Sequence, residues 1–455
     1  MKKTYRPYEP KQSFLLPPSP MDWLPDGHLA RFILDVVERL NLAAINGYYE
    51  REQRGYPPHH PQMMVALLLY GYCVGVPSSR KIEKRTHEDV AFRVIAGNTH
   101  PDHTCISEFR RIHLNALAEL FVQVLRLCQK AGLVKLGHVA LDGTKLKANA
   151  SKHKAMSYER MKKDEEKLRQ KVAELLRAAE QADAEEDAQY GKDRRGDELP
   201  EELQRAEGRR ERIEQLMAEL EAEAAEQHEA PPDHDDDDDD DAPPPSGPAP
   251  LPSHQIPTEK DGTPKPKAQR NFTDGDSRIM KTGDGFIQGY NCQAAVDEEH
   301  LIIVAQAVTN QSPDVQHLIP MIDRIVFNCG KAPQRLSADS GYFSEANIVG
   351  AFERGTDPHI ATGRRPHGEP PPTVRGRPPA DMTLKQSMTR KLATKRGAAV
   401  YSRRKVIAEP PFGQIKHVRG FRQFLLRGLA KVSGEWSLIS LTHNLLKLHG
   451  ALQPA

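Results

Sequence analysis

Long apolar runs, paired cysteines and net charge are what this chain has least of. The longest apolar stretch, MMVALLLYGYCVGV at 63–76, falls short of the ~20 residues that cross a bilayer as a helix, so no membrane span is expected. The amino terminus, MKKTYRPYEP, leads into a proline-rich polar stretch with no apolar segment behind its lysines, which is not the pattern of a secretory signal. Cys73, Cys105, Cys128, Cys292 and Cys329 are scattered and odd in number. Without short paired spacings they give neither a disulfide framework nor a zinc site. His59 and His60 have no third ligand at helical spacing, and a loop role is expected for them. The expected compartment is the cytoplasm.

The net charge of +1 argues at first against a polyanionic partner, but it averages segments of opposite sign. Between Lys385 and Gly450, fourteen lysines and arginines stand against Glu409 and Glu435 alone. That is an electrostatic footprint suited to phosphate. The compensating acids include the unbroken run Asp235–Asp241. This run and its proline-rich flanks are too poor in apolar residues to offset the entropy of ordering.

At 455 residues the chain exceeds one typical domain, so two or more folded units are expected. After a polar arm over 1–20, apolar residues recur at helical spacing from Leu29 to Leu40. Pro61 then opens a second apolar helix. Further helices, one of them from Ser107 to about Ala131, make 1–130 an all-helical unit. Within it, VPSSRKIEKRTHEDVAFRVIAG and HPDHTCISEFRRIH read as two short helices joined by turns. Ser79, Arg80, Arg110 and Arg111 are placed there to meet phosphates, in the manner of a helix-turn-helix reader of DNA. Helix capping and ordinary surface arginines explain the same residues equally well.

A first strand is predicted over 138–148, at the start of a core that opens at 131–155. Two long charged helices over 156–230 interrupt it as a helical hairpin, either a spacer or a contact arm. A linker over 231–270 follows, and the core resumes over 271–450. Strands at Phe286–Val296, Leu301–Val308, Arg335–Ala338 and His359–Ala361 alternate with helices at Asp314–Phe327 and Ser344–Phe352. The order is β-β-β-α-β-α-β, a mixed α+β or α/β class. Residues 363–383, rich in proline and arginine, are expected to form a basic loop.

Two apolar runs end in aspartate: HVALDGTKLKA places Asp142 and RLSADSGYF places Asp339, while Glu409 lies in the basic segment RRKVIAEPPFGQIKHVRGF. A strand that ends in a carboxylate delivers it to the rim of a buried sheet, where two such strands and a helix can gather three acids around Mg²⁺. Asp274, Asp276 and Asp297 are rival acids, but each lies in a loop or turn where a backbone role suffices.

The ordered set resembles the insertion-sequence transposases of the DDE class. It comprises Asp142-Gly143-Thr144, then Lys147 to Ser151, Asp276-Ser277-Arg278, Gly289-Tyr290-Asn291 with Gln293, and Asp339-Ser340-Gly341-Tyr342. It ends with Glu409-Pro410, Phe412-Gly413 and Ile415-Lys416, followed by Arg427-Gly428, Glu435-Trp436 and Asn444-Leu445. The resemblance implies an RNase H-like core and metal-dependent cleavage and strand transfer of DNA. It makes Asp142, Asp339 and Glu409 both catalytic and metal-ligating, with two Mg²⁺ ions that Mn²⁺ can replace. It also implies double-stranded DNA as partner, bound by a homodimer. Tyr401, Arg404, Glu409 and Lys416 fit a set found around the third acid, with Lys405 competing for the place of Arg404.

Arg404, Lys405, Lys416, Arg419 and Arg422 are the expected phosphate contacts. Pro410 and Pro411 predict a regular helix beginning near Pro411, with Glu409 just ahead of it. Trp436, among Leu438, Ile439 and Leu441, is expected in the core rather than against a base. Two other classes share these features in part. An RNase H-like nuclease would have the acids without strand transfer, and a domesticated DNA-binding protein would keep the basic surface without turnover.

Overall fold

The computed structural model describes residues 19–51, 58–190, 201–229, 251–283, 285–363, 374, 376–379 and 381–453. Residues 1–18 of the arm expected over 1–20, the run Asp235–Asp241 and most of the basic loop at 363–383 lie outside the described residues.

Seven helices come first: α1 (Leu29–Arg39), α2 (Ala43–Tyr49), α3 (Pro61–Cys73), α4 (Ser79–Glu88), α5 (Val90–Ile95), α6 (His103–Ile112) and α7 (Leu114–Lys130). Three short helices stand where two were expected. Asp89 both ends α4 and caps α5, its Oδ1 accepting from the backbone N–H of Ala91 at 2.9 Å. The single helix expected from Ser107 is likewise divided, because Asp102 caps α6 earlier by accepting from Cys105 N–H at 2.7 Å and the chain turns at His113.

Strands β1 (Val139–Lys147) and β2 (Ala155–Ser157) precede the long helices α8 (Tyr158–Tyr190) and α9 (Glu201–Glu229), and β3 (Gln269–Asn271) pairs back onto β2. Then come β4 (Arg278–Thr282), β5 (Gly285–Asp297), β6 (Ile303–Thr309), α10 (Leu318–Cys329), β7 (Arg335–Ala338), α11 (Glu345–Glu353) and β8 (Asp357–Ile360). Four helices close the chain: α12 (Leu384–Ala393), α13 (Lys395–Ser402), α14 (Arg404–Gly413) and α15 (Leu429–Leu452).

The main sheet runs β4-β5-β1-β7-β8, with β6 also on β5. β5 is antiparallel to β1, β4 and β6, whereas β1, β7 and β8 are parallel. A mixed sheet of this order with helices beside it is consistent with an RNase H-like core.

One buried apolar cluster extends from the amino-terminal helices through the sheet into α15. That last helix is buried on most of its circumference, against α3, α7 and β6. Trp436 has no exposed surface, and its indole N–H donates to the Gln293 carbonyl at 3.2 Å, so the core role expected for it holds.

The expected linker over 231–270 is corrected at its carboxyl end. Leu251, Ile256 and Ala268 are buried, the last two in a cluster with Tyr158, Leu220 and Ala224 at the base of α8 and α9. The side chain of Gln227 accepts from Ile256 N–H at 2.8 Å, so the chain leaves α9 and is tied to it again 29 residues later. Its sparse apolar residues anchor this return, which composition alone does not reveal.

Since both ends of 231–250 are held by contacts outside it, replacing that segment with a short Gly-Ser linker should change unfolding free energy by less than about 1 kcal/mol and activity by less than about tenfold. Chemical denaturation of the two proteins tests this. A loss of several kcal/mol would make the tract part of the fold.

Candidate active site

Within β1, Val139, Ala140 and Leu141 have no exposed surface, and from Asp142 the strand emerges half-buried. β7 does the same: Leu336, Ser337 and Ala338 are buried and Asp339 follows at the end. The two strands are parallel, with Val139 beside Leu336 and Ala140 beside Ser337. Continuing this register brings Asp142 level with Asp339 on one face. Asp339 Oδ1 accepts from Gly341 N–H at 2.8 Å, and Asp142 Oδ1 accepts from Gly143 N–H at 3.0 Å.

Burial raises the Asp142 carboxyl to about 6, against the pull of Arg404 and with the like charges of Asp339 and Asp314 adding to the rise. The guanidinium of Arg404 lies 3.3 Å from Asp142 Oδ2 and over the Tyr401 ring at 6.0 Å. It is therefore Arg404, and not the exposed Lys405, that reaches the acid. Lys416 donates to Thr144 Oγ1 on the same strand.

Sequence reasoning missed Asp314, which it assigned only to a helix start. On β5, Asn291 and Gln293 stand opposite Lys145 and Gly143 of β1, and with period two all four share a face. The amide nitrogens of Asn291 and Gln293 donate to Asp314 Oδ1 at 2.7 and 2.8 Å. Burial pushes the Asp314 carboxyl up, but His317, Asn291, Lys145 and Gln293 more than reverse this and hold it below the usual range. Tyr342 donates to Gln293 Oε1, and burial with the charges of Asp314, Asp142 and Asp339 keeps its hydroxyl protonated. The available signal was two buried amides, Asn291 and Gln293, on alternate positions of an apolar strand. Such groups need polar partners.

Glu409 is placed differently from expectation. α14 begins at Arg404 and passes through Glu409, Pro410 and Pro411 before a π-type turn at Gln414–Val418. A proline in a helix interior costs about 3 kcal/mol. Here the burial of Ile407, Ala408, Pro411, Phe412 and Ile415 against the sheet side outweighs that cost. Glu409 lies on the exposed side. Among the described residues no three acids, histidines or cysteines stand close enough to form a metal cage, so Glu409 does not converge with Asp142 and Asp339.

The donor set nevertheless suits a hard divalent cation, which takes carboxylate oxygens. Two glycines also leave room between the carboxylates. A Cβ at Gly341 would lie 3.0 Å from Asp339 Oδ1 and 3.5 Å from Asp314 Oδ2, and one at Gly143 would lie 3.1 Å from Asp314 Oδ1.

Beside the acids a cleft of about 1160 Å³ runs between β1, the β4–β5 turn and the π-type turn. Lys145, Lys147, Lys281, Lys416, His417 and Arg422 line it, with no acid among the described residues. Phe286, 59% exposed, stands at its edge.

Two of the expected phosphate contacts are corrected. Arg419 is buried and donates to Thr442 Oγ1 at 2.8 Å and to the Ile439 carbonyl at 3.1 Å. Arg110 is buried and donates to the Pro77 carbonyl at 2.8 Å, bracing the turn before α4. Their spacing in the sequence resembles that of surface arginines, and only the packing distinguishes them. Arg111 is exposed and paired with Glu108 at 2.8 Å, while Arg80 is exposed and Ser79 half-buried in the first turn of α4.

The rival acids all have backbone partners. Asp297 accepts from Leu136 N–H at 2.7 Å, Asp274 from Gly428 N–H at 3.1 Å and Asp276 from Leu429 N–H at 2.8 Å.

A family model described as "Transposase DDE domain" matches residues 253–445, and one described as "Transposase domain (DUF772)" matches residues 18–111. No curated protein matches the chain, and no solved structure does.

Glu435, the other acid of the basic region, has a structural role that its sequence context does not disclose. It has no exposed surface, and its carboxylate accepts from Leu425 N–H at 3.0 Å and Leu426 N–H at 2.9 Å. With two buried backbone donors at stake, Glu435→Gln should lower stability by about 1–3 kcal/mol. Thermal and urea unfolding check this, and an unchanged midpoint would refute it.

Proposed function

Because this chain belongs to the insertion-sequence transposases of the DDE class, we propose that Asp142 and Asp339 are the metal-holding acids of its DNA cleavage and strand transfer. The observation that carries the assignment is their arrival from two parallel buried strands at one sheet rim. Glu409 is counted third only by its place in the Glu-Pro-x-Phe-Gly-x-Ile-Lys segment. Transposases of this class act on DNA and use divalent metal ions. Mg²⁺, as two ions replaceable by Mn²⁺, is the proposed cofactor here. When bound, such ions activate the attacking oxygen and neutralise charge on the phosphate.

The remaining steps belong to the chain. Hydrolysis breaks the P–O3′ bond and leaves a free 3′-hydroxyl. That hydroxyl then attacks a target phosphodiester, forming one P–O bond as another breaks and the departing 3′ oxygen takes a proton. Arg404 orients Asp142 and keeps a positive charge at the reacting phosphate. Lys145, Lys147, Lys281, Lys416 and Arg422 lead a DNA backbone along the cleft to β1, with Lys405 on the outer side of α14.

The α4–α6 segment, with Ser79, Arg80 and Arg111, is proposed to bind the element ends. Joining two ends to one target is the reason to propose a homodimer, with α8 and α9 as a helical-hairpin insertion in the core. The site of action is the bacterial cytoplasm and nucleoid. No helix among the described residues is long and apolar enough to cross a membrane.

Asp142→Asn or Asp339→Asn should abolish cleavage of an end-containing duplex while leaving the unfolding midpoint and end-binding near wild type, since the amide keeps the shape and loses the charge. Cleavage near the wild-type rate, with Mg²⁺ or Mn²⁺, would remove that residue from the site. A precut end supplied with target DNA separates transposition from simple nuclease action.

Lys281→Ala and Arg422→Ala should each weaken duplex binding and reduce its salt dependence by about one counterion. Binding isotherms at several salt concentrations measure this, and unchanged slopes would move the DNA path elsewhere.

A further inference from the structure

The ladder between β1 and β5 ends at Lys147 and Gly289, and beyond it β5 continues with β4 as a two-stranded ribbon. Residues directly opposite each other in an antiparallel pair share a face. Lys281 stands opposite Phe286 and Ile279 opposite Gln288, so Ile279, Lys281 and Phe286 lie on one face of the ribbon. Lys281 and Phe286 both line the cationic cleft.

Phe286 has no packing role that accounts for it. Its ring is mostly exposed, and it belongs to none of the buried apolar clusters among the described residues. Leaving a phenyl ring in water forgoes the free energy that its burial would contribute. The ribbon that carries it is nevertheless fastened. Thr282 Oγ1 donates to the Gly285 carbonyl at 2.9 Å across the tip. Nearer the sheet Arg278 is buried, its guanidinium 3.4 Å from Glu223 of α9. The ring is thus held in place before a partner arrives.

Charge identifies that partner. Around the ring the cleft presents Lys145, Lys147, Lys281, Lys416 and Arg422, a set that attracts a polyanion. Phosphates need cations alone, whereas an aromatic ring among cations matches the apolar part of a nucleic acid, its bases. A two-stranded ribbon is narrow enough to enter a groove of duplex DNA.

We propose that Phe286 is a wedge that enters the duplex lying in the cleft and unstacks one base step, with Lys281 beside it on a flanking phosphate. This rests on the reading of the cleft as the DNA path. Phe286 lies eight residues back along β5 from Ala294, the partner of Asp142, which is roughly 27 Å of strand. At ~3.4 Å per nucleotide, the disturbed step falls about six to ten nucleotides from the phosphate at Asp142. Unstacking costs least at flexible steps, so the wedge adds a sequence preference that phosphate contacts do not carry.

The full-length protein, in chelator so that nothing is cut, is titrated into end-containing duplexes in which 2-aminopurine replaces one base at a time. That base brightens when it loses a stacking neighbour. Wild-type protein should brighten it at one step in the window above. Phe286→Ala should abolish the brightening even at saturation and raise the dissociation constant about fivefold or more, with the salt dependence of binding unchanged. Phe286→Trp should keep the brightening. Lys281→Ala should do the converse of Phe286→Ala, losing about one counterion from the salt slope and keeping the brightening.

With the Lys281→Ala and Arg422→Ala slopes reduced, the absence of a brightened step in that window, or brightening that survives Phe286→Ala, would overturn the wedge alone. Unchanged slopes in those two variants would overturn the DNA path and the wedge with it.

Discussion

The parallel pairing of β1 with β7 is the constraint on which the rest of the site depends. It is driven by apolar burial, since Val139 to Leu141 and Leu336 have no exposed surface, and each such side chain contributes on the order of 1.5–3 kcal/mol when fully buried. The electrostatic consequence is unfavourable. Two strands that end in aspartate are held side by side by their hydrophobic halves, so Asp142 and Asp339 face each other although like charges repel. Burial raises the Asp142 carboxyl to about 6, and the like charge of Asp339 adds to that rise. Arg404 relieves part of it, its guanidinium 3.3 Å from Asp142 Oδ2.

The network behind the acids gives them a fixed geometry. Trp436 of α15 donates to the Gln293 backbone carbonyl, the Gln293 side-chain nitrogen donates to Asp314, and its Oε1 accepts from the hydroxyl of Tyr342, which follows Asp339 by three residues. α15 is in turn packed between the sheet and the amino-terminal helices α3 and α7. The acids are thus tied through hydrogen bonds and packing to α3 and α7, the helices on either side of the segment proposed to hold the element ends. The buried cluster has no break at the 130/131 boundary read from the sequence.

How far the sequence discloses this depends on the kind of interaction. The strands carrying Asp142 and Asp339 were legible because a short apolar run closed by a carboxylate has one economical placement, at the rim of a buried sheet. β7 was read at its observed limits, Arg335–Ala338. β2, β3 and β4 were not legible: two are three residues long, and all depend on pairing rather than on period. Arg110 and Arg419 were misread, and the role of Glu435 was missed, for a related reason. A charged residue reads as exposed until the carbonyls or amides that bind it are known, and these lie 20 or more residues away for both arginines and about ten for Glu435.

The third acid shows where local rules stop. Residues before proline avoid the helical region, so Glu409 was expected ahead of a helix, yet α14 passes straight through it. The buried stripe of Ile407, Ala408, Pro411, Phe412 and Ile415 decides the conformation, and the π-type turn that follows shifts the register before Lys416. That shift lets Lys416 reach Thr144 while Arg404 reaches Asp142, so one interrupted helix sets two cations along β1. The same geometry leaves Glu409 facing outwards. A metal set completed from α14 therefore requires an exposed side chain on an interrupted helix to be brought in towards Asp142 and Asp339, whose own placement the buried sheet already determines.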